Sequence, residues 1–225
     1  MLTKAPPYIS TAIQEILSAM GLPGVALVSH ALSSFEKNRQ QEARDILLKR
    51  IQENDAVSYE DIQKDELIGT IYLYANCAAK GAARANLDLL AQAFAGGIKN
   101  RSLTLDNFHK HINILSSLTR DEILVIGTYL RFFRHFQDAA EKDSASFWGT
   151  VKPNAWSATM ESLVPSCFPT TEHVSVICGS LSRTGLTLPQ APHLGQSPSH
   201  SFTVLLDEVS KLIDFEKAHA AYPEY

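Results

Sequence analysis

Residues 170–218, TTEHVSVICGSLSRTGLTLPQAPHLGQSPSHSFTVLLDEVSKLIDFEKA, decide the fold. Thr170 offers a side-chain oxygen to the free N–H groups of a helix start. The helix runs through Arg183, and Gly185 closes it. Leu186–Leu188 reads as a short strand. Pro189–Ser199 holds three prolines among Gly and Ser and reads as a loop. His200–Phe202 returns as a second strand. Thr203 then caps a last helix whose Leu206, Val209, Leu212 and Ile213 share one face. Upstream, Ala155–Val164 reads as a short helix, joined to the Thr170 helix by the turn Pro165-Ser-Cys-Phe-Pro169.

Helix, turn, helix, strand, loop, strand, helix is the order of a winged-helix-like module. The expected fold is therefore mostly α: an N-terminal multi-helix unit followed by a small winged-helix-like unit built from helices and a β-hairpin. The expected domains are 1–145 and 154–219, with 146–153 as linker. The stretch around the linker turns polar, holds Gly149 and Pro153, and loses helical periodicity. Trp148 and Trp156 bracket its end and are expected to pack it onto a flanking unit.

Such modules read DNA or are reused to bind protein, and fold order alone does not decide which. In a DNA reader the helix starting at Thr170 would present its first residues to base edges. Those residues are Thr171, Glu172, His173 and Ser175, where Arg, Lys, Asn or Gln would be usual. The candidate nucleic-acid contacts reduce to His173, Arg183 and, on the wing, His200. Charge opposes the DNA reading. The chain carries a formal charge of −4, and residues 170–225 hold Arg183, Lys211 and Lys217 against Glu172, Asp207, Glu208, Asp214, Glu216 and Glu224. Neutralising phosphates with Lys and Arg supplies most non-specific DNA affinity, and the module shaped for that task is the acidic part of the chain.

The N-terminal unit reads as helices. Pro7–Met20 places Ile9, Ile13, Ile16, Leu17 and Met20 on one face, and Gly21 and Pro23 stop it. Gly24–Ser33 is a second helix, apolar nearly all round through Val25, Ala26, Leu27 and Val28. Ile13, Leu17, Met20, Val25 and Val28 are the candidate partner-binding or self-association surface. Phe35–Asn54 is a charged amphipathic helix with a stripe of Ala43, Ile46, Leu47 and Ile51. Asp65–Gly97 is a long helical stretch breakable near Gly81, with small residues in its middle and Gly96-Gly97 as its end. Thr104 caps a helix through Ser116. Thr119-Arg-Asp-Glu122 is a capping box that opens a helix through Phe136, with Ile123, Leu124, Ile126, Leu130 and Phe133 inside.

Composition excludes several classes. With 225 residues and 45% apolar content, the chain can bury a core without disulfide or metal staples. Three scattered cysteines, Cys77, Cys167 and Cys178, suit a reducing cytoplasm. The N-terminus lacks a cleavable signal pattern, and the interrupted apolar stretch Ile9–Phe35 is poor material for a membrane span. His109 and His111 are two apart and diverge on a helix, whereas a helical zinc pair needs i,i+4 spacing. Cys167, His173 and Cys178 fit no zinc motif. Nucleophile elbows and phosphate loops are absent. Asp121 and Glu122 are explained by the favourable charge of a helix N-terminus. Lys80 and Arg84 are the one basic pair on a small-residue face that suggests an anionic partner. No catalytic residue, cofactor or metal is expected. The expected function is a non-enzymatic interaction or regulatory protein acting through protein–protein contacts. The alternatives are a DNA-binding regulator and an enzyme whose site is assembled from distant residues.

Overall fold

The computed structural model describes residues 29–53, 63–139, 147–190 and 199–222. The architecture is mostly α, with a small two-stranded antiparallel sheet near the C-terminus. The chain divides into two compact units, Met1–Ser117 and Leu118–Tyr225. The 146–153 stretch expected as a linker falls inside the second unit, and its residues from Phe147 onward are helical. The candidate partner residues Ile13, Leu17, Met20, Val25 and Val28, and the Pro7–Met20 helix, lie outside the described residues.

The first unit contains α1 (Ser29–Glu53), α2 (Lys64–Ala79), α3 (Arg84–Lys99) and α4 (Leu105–Leu115). The sequence reading divided α1 near Ser33 and Phe35. The helix runs through instead, because no Gly or Pro interrupts residues 29–53. Its stripe is as expected, with Ala43, Ile46 and Leu47 buried. The break near Gly81 is a Schellman stop. Gly81 donates to the Ala78 carbonyl and Ala82 to that of Cys77, each at 3.0 Å, while Gly81 takes a left-handed φ of 86°.

Helix α3 is the axis of this unit, buried at every residue from Asn86 to Ile98. Gly96-Gly97 does not end it, contrary to the sequence reading. Leu103 folds back over Gly97, and the stop comes later at Arg101, which takes a left-handed φ of 53°. Arg101 donates to Ile98 and Ser102 to Gly97, closing the same kind of motif without a glycine. Phe94 meets Phe108 of α4 edge to face, with centroids 6.1 Å apart. The α4 cap is as expected: Thr104 accepts from the Asn107 N–H at 3.2 Å. Glu66 of α2 accepts from the Leu105 N–H and satisfies a second end group.

The second unit contains α5 (Arg120–Ala139), α6 (Phe147–Leu163), α7 (Thr171–Leu181), a 3₁₀ turn (Ser182–Thr184), β1 (Thr187–Gln190), β2 (Ser199–Phe202), α8 (Val204–Ser210) and α9 (Phe215–Ala221). Helices α6, α7 and α9 all pack on α5. Helix α6 was expected to begin after Pro153, but it runs through that proline. Val151 and Ala155, one turn apart around Pro153, are both buried and hold the line. The last expected helix is two. Ile213 and Phe215 are both buried, and residues two apart do not share a helix face. The chain therefore turns, and Asp214 caps α9 by accepting from the Lys217 N–H at 2.9 Å.

Strand β1 pairs antiparallel with β2, Thr187 opposite Phe202 and Pro189 opposite His200. Pro189 thus belongs to the strand rather than to the loop where the sequence reading put it. Thr187 and Phe202 face inward, whereas Leu188 faces out. Phe202 stacks on Tyr129 of α5 at 3.9 Å between centroids, and Trp156 of α6 meets it edge to face at 6.1 Å. The hairpin is thereby fixed to the helical core by aromatic contact.

Candidate functional site on the helix and hairpin of the second unit

The candidate residues His173, Arg183 and His200 lie on α7, the 3₁₀ turn and β2. The structure does not give them a common role. His173 is exposed, and its Nδ1 lies 3.0 Å from the Thr170 hydroxyl. Thr170 stands at the expected N-cap position, but it turns its side chain to that imidazole instead of to the helix backbone. His200 is half-buried and reaches across to α7. A Cβ on Gly179 would lie 3.8 Å from its Nε2. Burial lowers the His200 pKa, so the ring is neutral at pH 7 and offers no positive charge to a phosphate.

Arg183 is committed elsewhere. Its Nη2 donates to Glu122 Oε2 at 2.8 Å, and its Nη1 donates to Glu122 Oε1 and to the Ser180 carbonyl. Glu122 is only 1% exposed. Its carboxylate also accepts from the Ser180 hydroxyl and, at 2.8 Å, from the Thr119 N–H. Glu122 in turn donates its backbone N–H to the Thr119 hydroxyl at 3.3 Å, completing the expected capping box. Burial alone would raise the pKa of this carboxyl. The hydrogen bonds from Arg183, Ser180 and Thr119 outweigh burial and hold it below the usual range. The hydrogen bond to Glu122 raises Arg183 above its ordinary value.

The sequence reading treated Asp121 and Glu122 alike, as favourable charge at a helix start. Asp121 is exposed and fits that description, but Glu122 is the buried anchor of a joint between α5 and the end of α7. The clue available was that α7 and its turn contain a single basic residue, Arg183.

The outward side of α7 carries Thr171, Glu172, His173, Val176, Gly179 and Ser180. No Lys or Arg occurs between Thr171 and Leu181. Val176 is 71% exposed and, on β1, Leu188 is 56% exposed. Cys178 on the inner side is buried, and burial with the Glu122 charge pushes its thiol up to about 12. That is the wrong direction for a nucleophile. Cys77 is likewise raised by burial. Cys167 is exposed and free.

Arg50, Lys80 and Arg84 belong to the first unit. Arg50 lies buried in the first unit, donating to Asp88 at 2.7 and 2.6 Å and to Glu53 at 2.6 Å. Lys80 sits at the C-cap of α2 while Arg84 opens α3 and pairs with Glu42 of α1, so the two do not share a helix face. No group of three or more His, Cys, Asp or Glu among the described residues is placed to hold a metal ion. No described helix is long and apolar enough to cross a membrane. Comparison with protein families, with characterised proteins and with solved structures finds no match.

Proposed function

We propose that this chain is a non-enzymatic interaction or regulatory protein that works through protein–protein contacts, with its second unit a winged-helix-like module turned to protein binding. The observation that carries the reading is the outward side of α7. It offers Val176 to solvent and no basic side chain, and the one arginine at its end is held by a buried carboxylate. An apolar, uncharged centre with polar neighbours suits a protein contact better than a phosphate backbone. Three free cysteines, two of them buried, support a cytoplasmic setting.

The order α6, turn, α7, hairpin supports a second reading, a DNA-binding regulator, because that order would set α7 in a major groove. The two readings separate in one pair of measurements. A photo-crosslinking residue at Val176 is expected to give discrete protein adducts in cells, whereas one at exposed Tyr72 of the first unit is not. Fluorescence anisotropy with mixed-sequence duplex DNA at two salt concentrations is expected to show no binding. Tight duplex binding that weakens steeply with salt and falls in Arg183→Met would overturn the protein reading. So would adducts that are absent at Val176 or equal at both positions.

A further inference from the structure

We draw no further inference here: the strongest candidate, the exposed apolar surface patch of Val176 on α7 and Leu188 on β1, belongs to the site already described, and nothing in the structure shows what covers it.

Discussion

Each unit holds an arginine paired with a carboxylate that is out of solvent, Arg50 with Asp88 and Arg183 with Glu122, and these two pairs differ in how far water reaches them. In the first unit both partners are out of solvent, with side-chain exposures of 5% for Arg50 and 2% for Asp88. In the second the carboxylate is buried at 1% but the arginine is 41% exposed. A charge that loses its partner inside the protein bears the full cost of desolvation, whereas a partner at the surface recovers hydration. The first pair is therefore a two-sided commitment, and the second is one-sided.

The largest effect is expected from Asp88→Ala. It leaves the Arg50 guanidinium buried with Glu53 alone, and Gln92 loses its 2.9 Å contact to the same carboxylate. Breaking such a pair costs roughly 3–5 kcal/mol, read as a lower urea midpoint. The double variant Arg50→Met with Asp88→Leu removes both charges and is expected to recover much of that loss, because apolar replacements of a buried pair are often neutral. A double variant no more stable than the single one would mean that the pair itself, and not the orphaned charge, carries the stability.

The next effect concerns how closely the central helices are approached. At Gly97 of α3 the first atom a Cβ would meet is a Leu103 side-chain carbon at 3.2 Å, but α5 is met at Gly127 by backbone. A Cβ there would lie 3.1 Å from the Glu216 nitrogen and 3.2 Å from its Cα. Backbone at the start of α9 cannot yield as a side-chain end does. Gly127→Ala is expected to cost about 1–3 kcal/mol, although alanine is the better helix former. An unchanged thermal midpoint would show that α9 shifts without penalty.

The fold was legible where local chemistry sets it. The Thr104 cap, the Thr119–Glu122 box and the apolar stripe of α1 follow from short-range spacing, and they stand as read. The readings that failed depended on packing, which spacing in the sequence does not carry. Gly96-Gly97 looks like a stop until Leu103 is known to pack over it, and Pro153 looks like a start until Val151 is known to be buried. The candidate site was legible only as a list. His173, Arg183 and His200 can be drawn from the sequence as candidate nucleic-acid contacts, but the carboxylate that holds Arg183 is 61 residues away on another helix. No spacing rule reaches that far.

The one-sided pair makes its own prediction. Removing Arg183 as Arg183→Met leaves Glu122 buried with the Thr119 N–H and the Ser180 hydroxyl. A cost of roughly 1–3 kcal/mol is expected, below that of Asp88→Ala. Because the folded-state pKa of Glu122 lies below that of an ordinary glutamate, near about 4.3, its contribution is present above that value. It is lost as pH falls through the folded pKa. Arg183→Met should therefore flatten the acid limb of the stability curve below about pH 4.3. Equal acid limbs in the two proteins would assign the depressed pKa to Ser180 and Thr119 instead.

The smallest effect belongs to His200. Its folded-state pKa is lowered by burial, so the unfolded chain binds the proton more readily. Its contribution is therefore fully present above the ordinary histidine value of about 6.5, and it declines as pH falls below that. His200→Gln should remove this slope, read as a smaller change in the pH dependence of the urea midpoint than Arg183→Met gives. The same variant divides the two readings of the module. A protein-binding face centred on Val176 does not need a charged His200, so crosslinking at Val176 should survive the substitution at pH 7. A nucleic-acid wing would need His200 charged, and duplex binding should then appear in the unmodified protein only as pH falls. Duplex binding at pH 5.5 that vanishes in His200→Gln would show that the neutral imidazole, and not the committed Arg183, is what keeps this face off DNA.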